Sequence, residues 1–188
     1  RAWISDAGVI KRLAVLLDEC NAALRTVAYY DSEADNDLVH LLDRLVLILA
    51  QLAEHSPISS AVAQEAGAAL GRVAHTHVRE EYLMCLYFRL VSNLAVVEEN
   101  ARWAKRHKMI QPVLAAARWH VGLPTAPGVE QLETGTLQSA EAMALAALKC
   151  VEDMGLGGAP WANAVLEAGG EKFVEELRDG FCERVSRQ

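Results

Sequence analysis

A repeat constrains this chain more than any other feature. An acidic residue followed by Ala-Gly closes a short amphipathic stretch three times, as Asp6-Ala7-Gly8, Glu65-Ala66-Gly67 and Glu167-Ala168-Gly169. After each glycine the same apolar rhythm resumes: Val9, Ile10, Leu13, Leu16 and Leu17; Ala69, Leu70 and Val73; Phe173, Val174 and Leu177. Spacings of three and four put such residues on one helix face. A glycine after a helical segment is the usual left-handed C-terminal cap, so each copy predicts one helix ending and another beginning.

A fourth, degenerate copy lies at Trp103 to Met109, with Lys108 at the glycine position and Ile110, Val113 and Leu114 on the apolar face that follows. Gly67 and Lys108 are 41 residues apart, whereas Gly8 to Gly67 spans 59 and Lys108 to Gly169 spans 61. Each long interval equals one period of roughly 42 residues plus an insertion of about 17 to 19, and periods of this size mark helical solenoids. The insertions read as Asn21 to Asp37, which ends in the acidic run Asp31 to Asp37, and Val121 to Gly135, which holds Pro124 and Pro127. Both fall after a second helix, as expected where one face of a repeat array tolerates elaboration. With little apolar surface to bury, both are expected to be the most irregular parts of the chain.

The longest and most apolar helix of each repeat is predicted at about Leu38 to Glu54, Glu80 to Val97 and Leu137 to Met154. Ser56-Pro57 supplies an N-cap and a first-turn proline for the next short helix, and Gly157-Gly158-Ala159-Pro160 breaks the chain before another. With 188 residues, 52% of them hydrophobic, the chain is long enough for one sizeable core. Only 5 prolines and 12 glycines interrupt it, which favours an all-α fold. We expect a single domain over 1–188, with repeats at about 1–54, 55–97 and 98–156 and a partial repeat at 157–188. Because the chain opens on Arg1 and ends at Gln188 on a charged helix, it reads as an excerpt of something longer.

Within this frame, Leu90-Val91-Ser92-Asn93-Leu94-Ala95 followed by Glu99-Asn100 resembles the end of the third helix in the armadillo-repeat family. One repeat earlier the matching piece is Leu49-Ala50-Gln51-Leu52-Ala53, with Gln51 at the asparagine position; in the last full repeat Cys150-Val151 stands there. The HEAT repeat is the nearest alternative, and the glycine-capped short first helix favours armadillo. The resemblance implies a right-handed α-solenoid of about three repeats plus a partial C-terminal one. It also implies a concave groove lined by third helices, in which an asparagine clamps the backbone of an extended peptide.

Carried onto this chain, that groove would use Cys85, Arg89 and Asn93, spaced by four, and Asp43, Leu47 and Gln51 one repeat earlier. A carboxamide such as Asn93 or Gln51 both donates and accepts, and the planar fork of Arg89 suits a carboxylate. The expected partner is thus a protein or extended peptide of mixed or acidic character. A spacer or self-associating segment of a larger assembly, joined through the solenoid ends, is the alternative function.

Other chemistry is weakly represented. The net charge of -7 opposes nucleic-acid binding, and the densest basic run, Lys105 to Lys108, is short. Cys20, Cys85, Cys150 and Cys182 lie far apart in apolar settings and read as reduced core thiols rather than nucleophiles or metal ligands. His75 and His77, two apart, point away from each other on a helix and read as solvated residues between helices. Trp103 and Trp161 are expected to pack between neighbouring repeats. The run Gly155 to Gly158 lacks the Lys-Ser/Thr end of a phosphate loop. We therefore expect no enzyme activity, no cofactor or metal, no nucleic-acid or membrane partner, and a cytoplasmic location.

Overall fold

The computed structural model describes residues 7–25, 33–121 and 137–186. Among the described residues there are ten α-helices and no strand: α1 (Ala7–Arg25), α2 (Glu33–Ala53), α3 (Ser56–Ala61), α4 (Gly67–Thr76), α5 (Glu81–Ala95), α6 (Asn100–Arg106), α7 (Ile110–Val121), α8 (Leu137–Leu156), α9 (Ala159–Glu167) and α10 (Gly170–Ser186). A π-helical turn, Val62–Ala66, joins α3 to α4. Pro57 and Pro160 sit in the first turns of α3 and α9, where a missing N–H leaves no helical bond unmade. The N-cap of α3 is His55 rather than Ser56.

The helices pack in rows. The long helices α2, α5 and α8 pack in series; α1, α4, α7 and α10 form a second series; and α6 lies between the π-helical turn and α9. A single apolar cluster runs through all three rows, from Ile10 to Leu177. Each Leu or Phe fully removed from water there contributes about 1.5–3 kcal/mol. Polar rungs cross between successive members of each row: Asp18 of α1 to Arg72 of α4, Lys105 of α6 to Glu167 of α9, and Arg118 of α7 to Glu176 of α10.

The same junction between a short helix and the next is built in two ways. Gly169 (φ 90°) and Lys108 (φ 53°) both take the left-handed conformation. Gly67 does not; its φ is -55°, and the π-helical turn before it absorbs an extra residue so that α3 runs on into α4. Glycine is needed at that place for another reason. A Cβ on Gly67 would meet His107 Cδ2 at 2.8 Å, and one on Gly71 would meet the His107 carbonyl oxygen at 2.5 Å, so α4 seats directly on the turn between α6 and α7. Gly8 lies in the first turn of α1, and the segment before Ala7 is outside the described residues.

Eight residues before Gly67, Lys108 and Gly169 stand Ser59, Asn100 and Trp161, all fully buried. Asn100 Nδ2 donates to Ser59 Oγ (2.9 Å) and to the Leu94 carbonyl (3.1 Å). Trp161 Nε1 donates to the Val97 carbonyl (3.1 Å). Trp161 therefore packs against the α5–α6 connection, and the residue at the same distance before Lys108 is Asn100 rather than Trp103. Trp103 is half-buried, stacked on His107 with Arg102 and Arg106 over its ring.

The insertion expected at Asn21 to Asp37 is partly regular. Residues 21–25 complete α1, and α2 begins at Glu33, earlier than Leu38. Asn21 is buried because it meets His77: His77 Nε2–H donates to Asn21 Oδ1 over 3.0 Å, across 56 residues of sequence. His77 is accordingly a buried residue rather than a solvated one, while His75 is exposed. Of the second insertion, Val121 closes α7 and residues 122–135 lie outside the described residues, as do residues 26–32 of the first.

Candidate functional site

The long helices bury one face and turn another outward. On α2 the outward row is Leu41, Arg44, Ile48 and Gln51; on α5 it is Tyr82, Cys85 and Arg89, followed by Val96; on α8 it is Leu145, Lys149, Glu152 and Leu156. Steps of three and four keep each row on one side of its helix. Since α2 packs on α5 and α5 on α8, the rows lie next to one another. They carry large apolar side chains that water covers: Val96 is 78% exposed, Leu156 77% and Tyr82 62%. Burying such groups elsewhere would stabilise the fold, so a cluster of them is a feature to explain.

The six residues picked out by the sequence divide between this face and the seam beneath it. Gln51 is exposed and lies in the outward row of α2. Leu47 is half-buried and packs against the core. Asp43 is half-buried too, lining a pocket of about 110 Å³ with Leu42, His77, Glu80, Tyr82 and Leu83. Burial pushes its carboxyl up, Glu80 adds to that, and His40 opposes it.

On α5 the polar groups are largely turned toward neighbouring helices. Asn93 Nδ2 donates to the Ala50 carbonyl of α2 (2.9 Å), a bond worth about 0.5–1.5 kcal/mol. Arg89 pairs with Glu54 just after α2 (2.5 Å); both side chains are well exposed, so the pair contributes about 0–1 kcal/mol. Cys85 faces α8, its thiol donating to Met143 Sδ (3.4 Å). It is exposed at its edge, not a core thiol, and partial burial and Glu81 push its pKa up. Cys20 and Cys150 are buried as expected, and Cys182 has no described side chain. Burial pushes Cys150 up to about 12, although Ser92 of α5 hydrogen-bonds it, so it stays a thiol at neutral pH.

Beside Asn93 the face deepens into an open groove of about 670 Å³ between the C-terminal ends of α5 and α8, lined by Ser92, Asn93, Val96, Glu98, Asp153 and Leu156 among others. Its carboxylates, Glu98 and Asp153, stand within a face that also carries Arg44, Arg89 and Lys149. Lys149 is itself paired with Glu152 (3.1 Å) and Asp153 (2.9 Å). The face thus combines exposed apolar side chains with charges of both signs.

Sequence reasoning missed Leu41, Ile48, Tyr82, Val96, Leu145 and Leu156, which resemble core residues in a one-dimensional pattern. Among the described residues no group of three His, Cys, Asp or Glu side chains is placed to hold a metal ion, and no helix is long and apolar enough to cross a membrane. Compared with known proteins, the chain matches no family model, no curated protein and no solved structure.

Proposed function

We propose that this chain is a right-handed armadillo-type α-solenoid of about three repeats plus a partial C-terminal one, and that it serves as a protein-interaction module. On this reading it holds an extended peptide of mixed charge along the outward faces of α2, α5 and α8. The repeat reading rests on the three rows of equal-rank helices and on the recurrent Ser59, Asn100 and Trp161 positions. The binding reading rests on one observation: Ile48, Tyr82, Val96 and Leu156 stand exposed on three successive helices, and Val96 and Leu156 line the groove at Asn93. Apolar anchors flanked by polar groups are how peptide grooves obtain affinity from side chains and register from the backbone.

Selection of binders from a library of random unstructured peptides tests this. Peptides that bind the parent chain should lose about tenfold or more in affinity toward Ile48→Asp and Val96→Asp, each of which puts a charge where an apolar anchor would be desolvated. Val96→Asp should keep the parent's melting temperature, since that side chain is 78% exposed, whereas Ile48→Asp, at a side chain 42% exposed, should lower it modestly. Equal affinity for parent and both variants would place the binding elsewhere.

A second reading, self-association, has its own support. The two ends of the α1, α4, α7, α10 row carry exposed Val9, Val15 and Leu16 on α1 and Val174 on α10. Light scattering after size exclusion should give a concentration-dependent mass if these ends pair, and a constant monomer mass if the chain acts alone.

A further inference from the structure

A second cleft, of about 590 Å³, opens on the opposite set of helices, where the C-terminus of α1, the outer side of α4 and the turn between α6 and α7 meet. Arg25, Arg72, Arg106 and Lys108 line it, with His75 and His107. Among the described residues no carboxylate lines it, in a chain whose net charge is -7. Among the described residues Arg25, Arg106 and Lys108 make no ion pair. Arg72 is held by Asp18, which accepts from its Nε (3.0 Å) and Nη2 (2.6 Å), and this fixes the guanidinium in the wall.

Two features indicate that this charge is built in. Lys108 occupies the left-handed position (φ 53°) that Gly169 fills in the last repeat, so a cation stands where the backbone favours glycine. The seat of α4 on the turn, which leaves no room for a side chain at Gly71, holds His107 and Lys108 against Arg72. His107 Nε2 is buried and without a hydrogen-bond partner. Burial first, then Arg106 and Arg72, push the imidazole below its ordinary range, so the cleft's positive field is already acting on a neighbour.

We propose that this cleft binds a phosphomonoester dianion carried on a peptide, that is, a phosphorylated serine or threonine in a partner protein. Cations from three separate elements line the cleft, those of Arg25, Arg106 and Lys108 outside any ion pair among the described residues, which suits a group with three acceptor oxygens and nearly two charges; one carboxylate would need a single fork. The cleft is open and larger than one phosphate, leaving room for flanking residues. The chain's net charge of -7 opposes binding of a nucleic-acid backbone. The site lies on different helices from the face of α2, α5 and α8, and it stands or falls independently of that reading.

The test is fluorescence anisotropy with a random-flank peptide pool in three forms, centred on phosphoserine, serine or glutamate, at low ionic strength. The phosphoserine pool should bind about tenfold or more tightly than the other two. The variant Arg106→Gln/Lys108→Gly should lose that preference. Because glycine suits the left-handed position, Lys108→Gly alone should melt at the parent's temperature or above it while binding more weakly, so loss of binding cannot be assigned to misfolding. Ile48→Asp should leave the preference intact. Equal binding of the phosphoserine and glutamate pools, displacement by inorganic phosphate at the concentration of phosphopeptide that displaces itself, or full binding by Arg106→Gln/Lys108→Gly would each overturn the proposal.

Discussion

The seam between α2 and α5 and the outward face of the same two helices are one turn apart in sequence and have opposite characters. In the seam, Asn93 bonds the Ala50 carbonyl and Leu47 packs on the core; between α5 and α8, Cys150 hydrogen-bonds Ser92. On the face, Tyr82 and Val96 touch mostly water, and Ile48 is 42% exposed. The difference teaches that the asparagine most suggestive of ligand binding has a donor already committed to holding neighbouring helices together, and that the surface left for a partner is more apolar. Changes in the seam should register as stability, and changes on the face as binding.

The largest effect is expected deepest in the inner contacts. Trp161→Ala removes a fully buried indole and leaves the Val97 carbonyl without its donor, so it should cost about 3–5 kcal/mol in urea unfolding. A cost below about 1 kcal/mol would mean that α9 does not pack on the α5–α6 connection. Asn93→Ala should come next, losing about 1 kcal/mol of stability while a selected peptide still binds the face within roughly threefold. The reverse pattern, unchanged stability and lost binding, would return Asn93 to the role its sequence context implies.

A smaller effect is expected from pH. Burial lowers His77 from its ordinary 6.5, and His107 and His120 shift the same way, chiefly through burial. The native state then binds fewer protons than the unfolded chain, so stability is unaffected above about pH 7.5 and falls as the pH drops below about 6.5, levelling off once the folded-state values are passed. His77→Gln keeps a donor for Asn21 and removes one titration, so its stability should decline less steeply over that window. Identical slopes in parent and variant would show that His77 titrates alike in both states.

How far the sequence foretold this arrangement follows from which interactions are local. The helical periodicity of α2, α5 and α8 is a property of each segment alone, and all three lie close to their expected bounds. The junctions at Gly67 and Gly169 were legible in position and not in form: the first is a π-helical turn seated against His107, the second a left-handed glycine. Asn21 appeared to open an insertion because its partner, His77, is remote in sequence. Cys85 lies among apolar residues, and nothing local says that its side of α5 faces outward. Likewise a spacing of four drifts around a helix, so Asp43, Leu47 and Gln51 pass from seam to face within two turns, a division that only the position of α5 defines.

Methyl-resolved nuclear magnetic resonance with one selected peptide tests the central claim most directly, because exposed methyl groups on α1 and α10 provide an internal control. If the long-helix face is the binding surface, resonances of Leu41, Ile48, Val96, Leu145 and Leu156 should shift on titration, while those of Val9, Val15, Leu16 and Val174 stay in place. Shifts confined to the second set, with the first unmoved at saturation, would contradict the account.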